Sequence, residues 1–163
     1  MIFKGINNQT VELNIINYQY PYNTDGGWDS NWLNIYLIVK SEVGNWHTVD
    51  PSLTTWDVHQ LITWFDILSK NLRPEFTDMR FTEPNLSFVL MNTVNDDSKK
   101  FRIFFNLESR PKSVEDNIEY YVDIVADNVE LKRITADLQR ELDKYPERRP
   151  EAKEINLSKD ALN

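Results

Sequence analysis

Cysteine is absent from the 163-residue sequence, which excludes disulfides, thiolate metal sites, iron–sulfur clusters and cysteine nucleophiles. Glycine is scarce. The four glycines, at positions 5, 26, 27 and 44, cannot build a P-loop or a G-x-G-x-x-G turn, both of which need glycine where backbone closes on phosphate. The two histidines, His47 and His59, lack the i, i+4 partner of helical zinc sites. No serine sits in a G-x-S-x-G elbow or an S-x-x-K motif. No apolar run approaches the roughly 18 residues of a membrane span, and the opening residues lack the basic and apolar regions of a signal peptide. The expectation is a cytoplasmic protein with no metal and no cofactor.

Basic residues are also missing from long stretches. Residues 5 to 69 hold seven acids, Glu12, Asp25, Asp29, Glu42, Asp50, Asp57 and Asp66, against the single base Lys40. A second acidic block, Glu115, Asp116, Glu119, Asp123, Asp127 and Glu130, contains no lysine or arginine. With a net charge of −8, such surfaces repel nucleic-acid backbones and anionic lipid, and they attract and steer a basic protein. Acidic surfaces also serve solubility alone.

What remains is ordinary globular material, 40% hydrophobic and 27% charged, enough for one domain with its own core. Thr10 to Tyr20 alternates as a strand. The run "WLNIYLIVKS" is apolar on both faces and suits a central strand. The segment "VGNWHTVDP" reads as a third strand, stopped by Pro51. Thr54 or Thr55, with Asp57 in the first turn, opens a helix whose Val58, Leu61, Ile62, Phe65 and Leu68 follow the i, i+3, i+4, i+7 rule to about Asn71. Three or four further strands are expected in "EFTDMRFTE", "NLSFVLMNTV", "KFRIFFNLES" and "NIEYYVDIVAD", the middle pair joined by a hairpin link. A second helix runs from about Asn128 to Tyr145 with a stripe of Leu131, Ile134, Leu138, Leu142 and Tyr145. With no repeated βαβ unit, the order predicts an α+β fold: a mostly antiparallel sheet of about six or seven strands with two amphipathic helices packed on it. The domain spans residues 1 to 145. Residues 146 to 163, polar and proline-bearing, read as an extension or loosely held tail.

The stretch "DGGWDSNWL", residues 25 to 33, concentrates glycine, tryptophan and aspartate between two strands. Asp25, Asp29 and Asn31 offer oxygens in loose imitation of a calcium loop, but the D-x-[DN]-x-[DN]-G spacing and the closing glutamate are missing. Gly26 and Gly27 suit a turn, and Trp32 and Leu33 begin the core. Of the five tryptophans, Trp64 and Trp32 read as core, whereas Trp28 and Trp46 are the candidates for exposure and for anchoring a partner. Exposed indoles with paired carboxylates also describe a sugar-binding or carbohydrate-active domain.

Three motifs stand in order: Trp28, Asp29, Asn31, Trp32 and Leu33 as W-D-x-N-W-L; Asp50, Pro51, Leu53 and Trp56 as D-P-x-L-x-x-W; and Tyr145, Pro146 and Arg148 as a variant of F-P-x-R. In this order and spacing the chain resembles the WapI-type immunity proteins over about residues 10 to 148. The third motif departs from the pattern in having Tyr145 for phenylalanine and Glu147 where a second proline is common. The resemblance implies a non-enzymatic protein that neutralises the C-terminal toxin domain of a cell-wall-associated, contact-dependent system. The namesake's toxin resembles an RNase, whose RNA-binding surface should be basic. It implies no catalytic residues. The candidate partner contacts are Asp25, Trp28 and Asp29 on the loop, Trp46 beside it, and Glu115, Asp116 and Glu119.

Overall fold

The computed structural model describes residues 1–95, 97–112 and 117–150. The fold is α+β and, among these residues, repeats one plan twice: four antiparallel strands, then a helix. The first sheet has the order β1 (Ile2–Lys4), β2 (Thr10–Tyr18), β3 (Trp32–Ser41), β4 (Gly44–Thr54), and leads into α1 (Thr55–Ser69). The second has the order β5 (Asp78–Arg80), β6 (Leu86–Asn95), β7 (Ser98–Phe105), β8 (Tyr120–Asp127), and leads into α2 (Asn128–Asp143).

The strands expected from alternation are present, but they divide into two four-stranded sheets instead of one larger sheet. The division falls at α1, which separates β4 from β5 in the chain. The sheets meet elsewhere, through the bridge of Gly5 to Ile124 and through a shared core. Phe3 on β1 shows how that core is shared: its ring lies 5.9 Å from Phe65 on α1, 5.7 Å from Phe88 on β6 and 6.2 Å from Phe101 on β7. A residue of one sheet thus packs on a helix and on two strands of the other, which is how two amphipathic layers bury a common face.

Strand β3 is central, as its two apolar faces require: Leu33, Ile35, Leu37 and Val39 are buried on one side. Pro51 does not end β4. The strand continues to Thr54, and the register slips between Leu33 opposite Leu53 and Ile35 opposite Asp50. Proline is tolerated there because β4 is an edge strand and the slip is a bulge, where a missing ladder N–H leaves no partner unsatisfied.

Helix α1 opens with a capping box. Thr54 accepts from the Asp57 backbone N–H at 3.2 Å, and Asp57 Oδ2 accepts from the Thr54 backbone N–H at 2.7 Å. Helix α2 is capped by Asp127, whose carboxylate accepts from Glu130 N at 2.7 Å. The two helices pack on each other. Arg133 of α2 donates to the Ile2 carbonyl at 2.6 Å, fixing α2 to the first sheet.

Candidate functional site

The β2–β3 connection projects from one end of the first sheet, and it is built by its own backbone chemistry. Asp25 Oδ1 accepts from Gly27 N at 2.7 Å, an Asx turn. Gly26 takes φ +79°, and an added Cβ would stand 2.0 Å from the Pro150 nitrogen. Both conformation and space therefore require glycine here. A short 3-10 turn, Asp29–Asn31, then returns the chain to β3.

Asn31 ends that turn fully buried, and its amide is used on both sides. Its Nδ2 donates to the carbonyls of Gly27 and Arg148, each at 2.9 Å; its Oδ1 accepts from Arg148 N at 2.8 Å and from the Thr55 hydroxyl at 3.0 Å. The side chain pairs with the main chain of residue 148 as a second backbone would. Arg148 returns the connection: its guanidinium donates to the carbonyls of Tyr20 (3.0 Å), Asn23 (2.5 Å) and Pro21 (2.9 Å), and its central carbon lies over the Tyr18 ring, 3.5 Å from the centroid. The Tyr18 hydroxyl donates to the Pro146 carbonyl at 2.6 Å. The first part of the expected tail is thus bonded to the loop through Arg148 and to β2 through Pro146, while residues 151–163 lie outside the described residues.

On the outside of this framework Trp28 is 60% exposed and sits edge-on to Trp56 at 4.8 Å. The Trp56 indole N–H donates to Glu147 Oε1 at 3.0 Å, and this bond, with Arg149, holds the Glu147 carboxyl below its ordinary range. Tyr20 and Tyr22, in the same connection, are exposed, as are Asp25 and Asp29. The three motifs distant in sequence thus form one cluster: Asn31 of the first bonds to Arg148 of the third, Trp28 packs edge-on against Trp56 of the second, and Trp56 bonds to Glu147.

Alongside the loop runs a groove of about 320 Å³, whose lining includes Tyr20, Trp32, Asp29, Asp50, Glu83 and Glu108. The Pro51 bulge forms part of its wall. Asp50 is pushed above the usual carboxylate range, first by burial and then by the charges of Glu108 and Glu83, against the bonds it accepts from Asn85 and Ser52.

The remaining candidates fall elsewhere. Trp46 is buried, which corrects the expectation of an exposed indole. Its ring packs on Phe105 at 5.4 Å and Tyr120 at 5.8 Å, and its N–H donates to the Ser109 carbonyl at 2.9 Å. The second sheet covers it, a contact that alternation along β4 does not reveal. Glu119 is exposed and lines another groove with Glu42, Tyr121 and Asp123. Glu42 follows the far end of β3, so this groove lies roughly 30 Å from the loop at about 3.3 Å per strand residue. Glu115 and Asp116 lie outside the described residues. Sequence reasoning passed over Arg148 as a structural hub, and Trp56, Glu83 and Glu108 as neighbours of the loop. The signal for the first two was the ordered triplet of motifs.

The model of the Immunity protein WapI-like family matches residues 1–146. The chain belongs to this family. No curated protein and no solved structure matches it. For an immunity protein, a surface of this kind, aromatic, acidic and fixed in place, is where recognition of a toxin is best sought. Among the described residues no helix is long and apolar enough to cross a membrane.

Proposed function

We propose that the protein acts in the cytoplasm as a stoichiometric inhibitor without catalysis of its own. It binds the C-terminal toxin domain of a cell-wall-associated, contact-dependent toxin, and the β2–β3 loop edge is the contact surface. The observation that carries this reading is Trp28, an exposed indole held against Trp56 on a loop already fixed by Arg148 and Asn31. Large aromatics in a preorganised setting dominate binding energy, because little side-chain or loop entropy remains to be lost on association. Asp25 and Asp29 flank it, so the partner's surface is basic. That charge suits a toxin whose own substrate is RNA, and an acidic inhibitor would then cover the substrate-binding face and speed its own association.

Co-expression with the toxin domain encoded beside it tests the reading. The expected result is rescue of growth and a co-purifying one-to-one complex; toxicity undiminished, with no complex, would overturn it.

A carbohydrate-active or sugar-binding domain has one observation in its favour: the concave groove sets Asp50, with raised proton affinity, near Glu108 and Glu83, with Trp32 in the wall. That reading requires saturable binding of an oligosaccharide, abolished by Asp50→Asn, and it fails if a broad glycan panel gives none.

A further inference from the structure

The groove beside the loop has a composition that the fold does not explain. Its lining holds four carboxylates, Asp29, Asp50, Glu83 and Glu108, and no lysine or arginine. Among the described residues none of the four forms a salt bridge, although nine such bridges join acids to bases elsewhere on the molecule. Like charges gathered in a concavity focus potential and are left without the counter-charge they would stabilise.

A second feature points the same way. Asn85 lines the groove at 1% exposure. Its Nδ2 donates to Asp50 Oδ2 at 2.7 Å, which fixes the amide's orientation, and its Oδ1 is buried with no hydrogen-bond partner among the described residues. A buried acceptor without a donor is disfavoured by about 1 to 3 kcal/mol, and native structures leave few of them. As it stands this acceptor is closed to solvent, so a multi-donor cation in the groove supplies the missing donor once the groove wall opens to it.

The shape selects among cations. No group of three or more His, Asp or Glu among the described residues is disposed to hold a metal ion, so the carboxylates are spread too widely for a small divalent ion. A volume of about 320 Å³ flanked by Tyr20 and Trp32 suits a larger, planar group that accepts aromatic faces and several acceptors at once. Guanidinium has five donors in one plane and stacks on rings.

We infer that this groove is a socket for an arginine side chain presented by the protein partner. The inference rests on the partner-binding reading above and names where that partner's charge is seated. Asp29 belongs both to the loop and to the groove, so an arginine seated there would place the partner's surface against Trp28.

The test has two arms, both with the full-length protein. In the first, the isotope-labelled protein is titrated with N-acetyl-arginine methylamide, against N-acetyl-lysine methylamide and sodium chloride at equal ionic strength. Saturable shifts at the Asn85 side-chain amide and the Trp32 indole, stronger for the arginine probe and lost in the Glu83→Gln/Glu108→Gln variant, are expected. Shifts no larger than those of sodium chloride would overturn the socket, and equal shifts with the lysine probe would overturn its preference for guanidinium. Glu83 and Glu108 are exposed and outside the core, so an unchanged Tm certifies that variant's fold.

In the second arm, affinity for the co-expressed toxin domain is compared between wild type and the double variant, with at least a tenfold loss expected. A wild type that binds the toxin, with a variant that binds equally well, sinks the socket and leaves the inhibitor reading standing. A groove that takes the arginine probe in a protein that binds no toxin domain sinks the inhibitor reading and leaves the socket.

Discussion

The guanidinium of Arg148 lies 3.5 Å from the centre of the Tyr18 ring, and the Tyr18 hydroxyl bonds to the carbonyl of Pro146, two residues before that arginine. One aromatic ring therefore holds a returning strand of chain by its face and by its edge. The loop is shaped by the arginine so held.

Replacing Arg148 by lysine keeps the charge and loses the arrangement, since an ammonium cannot stack flat or serve three carbonyls from one plane. Arg148→Lys should lower stability by about 2 kcal/mol, in the range of charge-assisted hydrogen bonds. It should also accelerate amide exchange across residues 20–31 and weaken toxin binding at least about tenfold through lost preorganisation. Exchange rates unchanged from wild type would show that the loop holds its shape unaided.

Asn31→Ala removes five hydrogen bonds from a fully buried side chain and strips the Arg148 backbone N–H and carbonyl of their Asn31 partner, while the Gly27 carbonyl keeps only its bond from the Ser30 hydroxyl. A loss of about 3 kcal/mol in urea denaturation is expected. Asn31→Asp, which keeps the acceptor but loses the three bonds donated by Nδ2, should not restore it.

At Gly26 two penalties are superposed, a positive φ and an overlap with the Arg149–Pro150 backbone. Gly26→Ala in the full chain should destabilise by more than the roughly 1 kcal/mol of left-handed backbone alone. In a chain ending at Arg148 the overlap is gone, and only about 1 kcal/mol should remain. Equal penalties in both backgrounds would mean that the contact carries no strain.

Trp28 and Trp46 should separate binding from stability. Trp28→Ala is expected to reduce toxin affinity about tenfold or more with a Tm close to wild type, by the usual behaviour of exposed aromatic anchors. Trp46→Ala, which empties a site between the two sheets, should cost about 3 to 5 kcal/mol of stability.

Acid should destabilise the second sheet through Asp123. Arg102 engages this carboxylate at 2.6 and 3.0 Å, and with Lys100 holds it below its ordinary range. Its contribution is therefore present above about pH 4, the unfolded value, and lost as pH falls through the lower folded value. Asp50 and Asp57 oppose this, because burial raises both; their protonation favours the fold as pH falls through their raised values. Asp123→Asn should lower the urea midpoint at neutral pH and flatten its decline on the acid side.

Local rules carried much of this fold into view. Thr54 and Asp57 announced the start of α1 by capping chemistry, and Leu131, Ile134, Leu138 and Leu142 marked the buried stripe of α2. The three residues of β1 are too few to show a period, and the division into two sheets rests on which edges meet, which alternation does not encode. Trp46 was misread for the same reason: what buries it comes from Phe105 and Tyr120, on the other sheet. The exposure of Asp25, Trp28 and Asp29 on the loop was legible from the turn residues around them. The groove beside it draws Glu83 and Glu108 from connections whose composition is unremarkable, so only assembly brings them together. Arg148 sits in a stretch whose prolines and charges resemble a solvated tail, though a guanidinium has enough donors to order a loop by itself.

The bond between Asn31 and Arg148 joins residues 117 positions apart. A chain emerging from the ribosome can pair its first strands early, but it cannot close the loop against a segment not yet translated. The loop is therefore closed only once residue 148 has been synthesised, and a copy terminated before it would carry Trp28 without the frame that holds its loop.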